Sequence, residues 1–466
     1  MDLLLLTAVD PFSYQIIPDL GLMYLAATAR EAGMDVVIKD LRKDRWPLER
    51  LSEYVSINSP KIIGIKCYSH EIAGIAKMVR ALRIVCPQAL FLLGGPHASS
   101  DPEGALAQTG VDYVFIGEAE SSLKAFLAWF RSGLTGLPPE SIAGIAFRTS
   151  SGMAVRKNEF APDLDQLPMP AWDLLPPSEY PDEATGIFVP GFPIAPMMLS
   201  RGCPFRCAYC GARKVMGERI RYRSPRHILA EIDYLSDRYR ISNFSFLDDN
   251  YTCNREKAAE MFTVLAARKP RIAFSFPNGV RAETLDAELL KLMERAGCYS
   301  LALGIESGSD ATLARMRKGQ TRLEVEEAVA LIRRTTSIRI TGFFILGYPG
   351  ETLEDVEETI RFAHRLPIHH PHFCLFTPLP GTPVYRELQD QGIIPAEGLP
   401  PEMLTFDRPQ ENLPGLPPRK VIKLHQYAYA KFYLKPWRIW NLMREIRSPG
   451  NLWVIARRVL KLLGLK

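Results

Sequence analysis

Long apolar runs are missing from this 466-residue sequence, and none approaches the ~20 residues that span a bilayer. The opening Met1-Asp2-Leu3-Leu4-Leu5-Leu6 has no basic segment and no small-residue cleavage pattern, so it reads as a first strand and not as a signal peptide. Cysteine is scarce. The eight present are scattered, which excludes a disulfide framework and suits a reducing cytoplasm. Residues 7–13 hold no glycine, so the first strand is not followed by the Gly-x-Gly-x-x-Gly turn of an NAD or FAD site. Acid is almost absent from the carboxyl end: Arg419 to Lys466 holds twelve Lys/Arg against Glu445 alone, +11. With +5 for the whole chain, the body carries −6. What remains is ordinary for a folded protein of two or three domains, with 47% hydrophobic and 23% charged residues.

Three of the cysteines fall within eight residues, in Ser200-Arg201-Gly202-Cys203-Pro204-Phe205-Arg206-Cys207-Ala208-Tyr209-Cys210, with gaps of three and two. The apolar run at 194–199 leads into them as a strand entering a loop. Thiolates spaced this closely wrap one face of an iron–sulfur cluster. Three ligands are one short of a closed zinc site or an electron-transferring [4Fe–4S] site, which leaves one iron open to another ligand. The alternatives are a disulfide cluster and a zinc knuckle. Zinc needs a fourth donor nearby, and the next ones are His227 and Cys253.

Residues 1 to about 130 alternate strand and helix five times, with strands at 3–9, 35–41, 61–67, 89–93 and 112–116. That pattern indicates a five-stranded, parallel, doubly wound sheet whose ligands sit at the carboxyl ends of its strands. A hairpin follows at 142–155, then a proline-rich, stiff connector at 162–196. A second alternation starts at the cysteine loop, with later strands at 243–247, 272–276, 300–304, 339–346 and 372–376. Its polar clusters all lie at carboxyl ends, where β/α barrels build their sites.

The CxxxCxxC spacing, with Tyr209 before the last cysteine, resembles radical S-adenosylmethionine (SAM) enzymes. Pro18 to Ala26, Gly94-Gly95-Pro96-His97, Asp112 to Glu118 and Leu167 to Asp173 resemble the class whose N-terminal domain binds cobalamin. The resemblance covers residues 1 to about 435 and implies an α/β protein. Residues 1–135 form a Rossmann-like (flavodoxin-like) five-stranded parallel sheet, 136–192 a hairpin and linker, 193–390 a partial (β/α)6 barrel, and 391–466 a basic helical extension. It implies a [4Fe–4S] cluster on Cys203, Cys207 and Cys210, SAM on the open iron, and cobalamin on the first domain. The implied reaction begins with a 5′-deoxyadenosyl radical and ends in methyl transfer to an unactivated carbon of a small, lipid-like substrate. Radical cyclisation is the alternative within the class. A flavodoxin or ferredoxin would supply the electron.

A zwitterionic, cationic ligand needs ammonium acceptors, for which Asp248, Asp249 and Asn250 are placed, and a carboxylate donor, for which Arg281 is placed. Glu306 and Ser307 suit the ribose or methionyl groups, and Tyr209 and Phe344 suit adenine. Equally, Asp249 could cap a helix and Glu306 could pair with Arg281. Cobalamin contacts are expected at Asp10, Leu20, Tyr68, His70, Gly94, Gly95, Pro96, His97, Gly117 and Glu118. No Asp-x-His-x-x-Gly string occurs, so no cobalt ligand is assigned, and a flavodoxin-like module that binds nothing is the alternative.

The aromatic, basic tail ends in an amphipathic stretch at 451–465. It suits either an anionic membrane, making the protein peripherally membrane-associated, or packing on the bottom of the barrel; RNA binding ranks third. Methylthiotransfer to tRNA calls for a second three-cysteine group near the N-terminus, and Cys67 and Cys86 are too few. The non-enzymatic alternative is an inactive scaffold that keeps the loop for structure.

Overall fold

A computed structural model describes residues 1–8, 16–133, 141–182, 189–405, 410, 413–435 and 438. Its first sheet contains β1 (Leu3–Thr7), β2 (Val36–Asp40), β3 (Ile62–Lys66), β4 (Leu90–Gly94), β5 (Tyr113–Phe115), β6 (Ile145–Thr149) and β7 (Gly152–Val155). The order is β2-β1-β3-β4-β5-β6-β7. The first five strands are parallel. All five residues of β1 are buried because helices cover both faces, so the strand is continuously apolar rather than alternating. Helix Leu20–Glu31 begins where the Asp19 carboxylate accepts the Leu22 N–H at 3.1 Å.

The expected hairpin forms, but it is no part of a separate connector. It pairs antiparallel with β5 and makes the sheet seven-stranded rather than five-stranded. A three-residue β5 would otherwise be an open edge, and the buried Ile145, Ala146 and Phe147 close it.

The second half contains β8 (Ile194–Met197), β9 (Ser200–Arg201), β10 (Arg221–Tyr222), β11 (Asn243–Phe246), β12 (Ala273–Val280), β13 (Cys298–Glu306), β14 (Arg339–Leu346) and β15 (His370–Leu375). Six parallel strands run β8-β11-β12-β13-β14-β15 as an open barrel wall, and β9 with β10 makes a short antiparallel ribbon. Along β14 burial alternates: Ile340, Gly342, Phe344 and Leu346 are buried, while Arg339, Thr341, Phe343 and Ile345 are half-buried.

The connector packs against both halves. The Trp172 indole donates to Glu231 at 3.0 Å, Tyr180 donates to Asp40 at 2.9 Å, and the Arg30 fork meets the Asp173 carboxylate at 2.8 Å on both arms. One apolar core runs from Leu3 and Tyr24 through Trp172 to Phe274 and Phe373, so the two sheets share an interior.

Helix Pro418–Tyr433 covers the β15 edge. The Phe373 N–H donates to Tyr429 at 3.1 Å, His425 Nε2 lies 3.0 Å from the Phe373 carbonyl, and Ala428 and Phe432 are buried. This part of the tail packs on the barrel. The amphipathic stretch at 451–465 lies outside the described residues. Among the described residues, no helix is long and apolar enough to cross a membrane.

Candidate functional site

The cysteine loop leaves β9 through Gly202, at φ +104°, where a Cβ would stand 2.3 Å from the Arg219 carbonyl oxygen. Only glycine fits that approach. The Ala208 N–H then donates to the Met316 carbonyl at 2.9 Å, and the Val384 N–H donates to the Ala208 carbonyl at 3.0 Å. The loop is thus tied to the far side of the barrel mouth. Cys203 and Cys207 are half-buried and Cys210 is exposed. Although Cys210 reaches the surface, enough protein surrounds its sulfur that desolvation pushes the thiol up to about 12. Among the described residues no three His, Cys, Asp or Glu side chains converge on a point that could hold one metal ion. A cubane takes each thiolate on a different iron, so its ligands need not converge on one point.

The Asp248-Asp249-Asn250 run divides by function. Asp248 is buried and accepts the Leu199 N–H at 3.1 Å, the Ser200 N–H at 2.5 Å and the Ser200 hydroxyl at 2.6 Å. The expectation of an ammonium acceptor fails for it, because its oxygens pin the segment between β8 and β9. Burial raises its carboxyl to about 7. Asp249 caps no helix; the following α-helix, Arg255–Ala267, is capped by Asn254. Asp249 Oδ2 and both side-chain heteroatoms of Asn250 are buried with no hydrogen-bond partner among the described residues. Burial raises Asp249 to about 6, and its carboxylate opposes thiolate formation at Cys203 and Cys210.

Glu306 closes β13 at φ +67° and pairs with Lys318 at 2.8 Å, not with Arg281. Lys318 also lies 3.5 Å from the Tyr209 hydroxyl. Gly304 makes the pair possible, since a Cβ there would stand 2.7 Å from Glu306 Oε1 and 2.8 Å from Lys318 Nζ. Arg281 is directed at the cysteine loop, with Nη1 3.9 Å from Cys207 Sγ. Ser307 is fully buried and spent on Thr359 at 2.9 Å, and it accepts the Ser309 N–H at 3.1 Å. Phe344 is fully buried with its ring 5.1 Å from Phe373, so it belongs to the core under the helices. Its neighbour Phe343 takes the opposite face, with its ring 5.5 Å from His372. Sequence reasoning missed Lys318 and Gln320, which lie in a turn after a short helix rather than at a strand end. Gln320 donates to the carbonyls of Gly304 at 2.9 Å and Ile305 at 3.2 Å.

On the first sheet, Tyr68 is 39% exposed, its ring 6.2 Å from His70, with Lys66 5.2 Å above it. His97 follows Gly94, Gly95 and Pro96 and is buried, with Nδ1 3.1 Å from Ser69 and Nε2 without a hydrogen-bond partner among the described residues. Burial lowers its pKa and keeps the ring neutral. Tyr68, His70 and His97 therefore gather at the β3 and β4 ends. Leu20 is buried in the core. A Cβ on Gly117 would stand 2.2 Å from the Asn158 amide, so that protein side chain fills its cradle. Glu118 is taken by Arg221, at 2.7 and 2.6 Å, beside Arg201 at 3.7 Å. Gly117 and Glu118 thus serve protein contacts rather than a ligand. Asp10 lies outside the described residues. The two sets of strand ends meet: Ser100 Oγ would lie 3.7 Å from a Cβ on Gly211, just past Cys210, and the Ser100 carbonyl abuts Gly381 after β15.

A three-thiol loop at the mouth of a six-stranded open barrel, beneath a flavodoxin-like sheet, defines a class. The radical SAM superfamily profile matches residues 197–363, and the B12 binding domain profile matches residues 12–127. The chain thus carries a B12-binding domain ahead of a radical SAM domain, and it is an enzyme. An uncharacterized methyltransferase of Pyrococcus horikoshii is 29% identical over 423 residues, 90% of this chain and 88% of its own. The anaerobic magnesium-protoporphyrin IX monomethyl ester cyclase of Cereibacter sphaeroides is 27% identical over 434 residues, 90% of this chain and 69% of its own. The cobalamin-dependent radical enzyme OxsB, solved with aqua-cobalamin and SAM bound, matches with a TM-score of 0.76 at 15% identity, over 100% of this chain and 76% of its own. The radical SAM methyltransferase TsrM of Kitasatospora setae, solved with cobalamin and a [4Fe–4S] cluster bound, gives 0.72 at 20%, over 84% of this chain and 78% of its own. These two likenesses are of fold.

The domains imply a [4Fe–4S] cluster, SAM and cobalamin, and the residues present can be tested against each. The three thiols suit the cluster, and the orphaned buried atoms of Asp249 and Asn250 suit an ammonium and its carboxylate neighbour. Tyr68, His70 and the orphaned His97 Nε2 suit a polar macrocycle at the β3 and β4 ends.

Proposed function

We propose that this chain is a cobalamin-dependent methyltransferase that acts on an unactivated carbon of a small, apolar substrate. The observation that carries this reading is the three-cysteine loop set beside the orphaned Asp249 and Asn250 side chains, with the strand ends of the B12-binding domain against it. When bound, these groups supply a 5′-deoxyadenosyl radical for hydrogen abstraction and a methyl group for transfer. Asp249 and Asn250 would hold the ammonium, Tyr209 would offer its ring to the adenine, and the Glu306–Lys318 pair would present a fixed carboxylate to the ribose. The half-buried Phe343 gives the concave side of the barrel an apolar surface for substrate. The cyclase relative supports oxidative ring formation as the second reading. A low-potential flavodoxin or ferredoxin supplies the electron, and the basic tail brings the protein to lipid; flotation with anionic liposomes, with and without residues 446–466, checks the latter.

Anaerobic reconstitution tests the main reading. Iron near four per chain and reductive cleavage of SAM to 5′-deoxyadenosine are expected, and Cys203→Ala, Cys207→Ala or Cys210→Ala each abolishes both. A wild-type chain that binds no four-iron cluster refutes it. A corrin absorbance after growth with cobalamin tests the first domain separately. Label carried from methyl-labelled SAM into product separates methylation from cyclisation.

A further inference from the structure

Arg281 leaves the carboxyl end of β12 and is buried against the cysteine loop. Its guanidinium lies over the Phe205 ring, 3.8 Å from the centroid. One arm donates to the Lys318 carbonyl at 2.5 Å, and Nε donates to the Glu283 carboxylate. With a stack and two arms engaged, a planar fork has one direction left, and there Nη1 meets Cys207 Sγ at 3.9 Å. Phe205 sits between Cys203 and Cys207, so one loop carries both the thiols and the platform that aims the cation.

We propose that Arg281 sets the reduction potential of the cluster by donating to the Cys207 sulfur and holding a positive charge beside it. The proposal rests on the cluster assignment made above. The step concerned is the transfer of one electron from a low-potential reductant to [4Fe–4S]2+, giving [4Fe–4S]+, with no bond made or broken. Reduction adds one negative charge, which a fixed neighbouring cation stabilises more than it stabilises the oxidised state. Hydrogen bonds to ligating sulfur act in the same direction. Arg281 therefore raises the potential and brings the cluster within reach of its donor.

The test uses the reconstituted full-length protein without SAM, titrated with dithionite through mediators, with the reduced cluster read by electron paramagnetic resonance. Arg281→Met is expected to keep its iron but to move the midpoint negative, so that at the wild-type midpoint the reduced-to-oxidised ratio falls about tenfold, or ~59 mV for a one-electron couple. Arg281→Lys, which keeps the charge, stays close to wild type. Phe205→Leu, which loosens the guanidinium, falls between. A wild-type midpoint in Arg281→Met overturns the proposal, and so does an Arg281→Lys shift as large as that of Arg281→Met. If Arg281→Met fails to hold a cluster, Arg281→Gln and Phe205→Leu decide, and wild-type midpoints in both overturn it. Failure of the cluster assignment is distinguishable, because it appears in the iron and sulfide content of the wild type before any titration.

Discussion

At Glu351, below the β14 end, burial acts on a single carboxyl group. One oxygen accepts the Gly347 and Tyr348 N–H groups at 2.8 and 2.9 Å, and the other is buried with no hydrogen-bond partner among the described residues. Desolvation raises its pKa from 4.5 to about 7. Between those values the folded chain binds more protons than the unfolded chain, so stability falls as pH rises through that window. Glu351→Gln keeps the acceptor and removes the titration. Melting temperatures recorded from pH 4.5 to 8 should show the wild type losing up to about 3 kcal/mol relative to the variant as pH rises. Equal pH profiles would rule this out. The same scale shows a limit of sequence reading. Asp248, Asp249 and Asn250 are consecutive polar residues at one strand end, and nothing in their spacing says that Asp248 is spent on Ser200 while the next two are left over.

Among elements, helix Pro418–Tyr433 matters because β15 is an edge strand with unpaired backbone groups. Tyr429 and His425 satisfy both backbone groups of Phe373 from the side. Tyr429→Phe leaves the Phe373 N–H without that acceptor and should cost about 1–3 kcal/mol in urea unfolding, with faster amide exchange at Phe373. Exchange at the wild-type rate would show that the helix does not protect the edge. Strand positions were legible from apolar runs bounded by polar clusters, and the helix led by Ser224-Pro225 from its cap and spacing. The five-fold alternation implies a helix after β2 and another after β4, and the structure supplies them as Leu48–Asn58 and Pro102–Thr109, whose bounds the sequence reading leaves unassigned. The facing of Phe343 and Phe344 was illegible: both are apolar, so only register in the wall assigns one to the core.

For the whole molecule, the join between the sheets rests on a buried ionic cluster. Glu118, just past β5, meets Arg221 on both arms, and Glu120 meets Arg201 at 2.8 Å; all four are nearly out of solvent. Both arginines lie on the β9–β10 ribbon that carries the cysteine loop. Removing one partner leaves a buried charge uncompensated, so Glu118→Ala should cost ~3–5 kcal/mol, and adding Arg221→Met should recover much of it. Additive losses in that cycle would mean the two side chains are not coupled.

The sequence by itself determined the α/β class, the order of the two halves and the three thiols, because strand period and ligand spacing are properties of neighbouring residues. Only the tertiary structure decided that the hairpin completes the first sheet, that Glu118 holds the domains together, and that Arg281 turns to Cys207 while Lys318 takes Glu306. Those choices depend on contacts between residues far apart in the chain, where burial and competition for hydrogen-bond partners select one pairing among several that the side-chain chemistry allows.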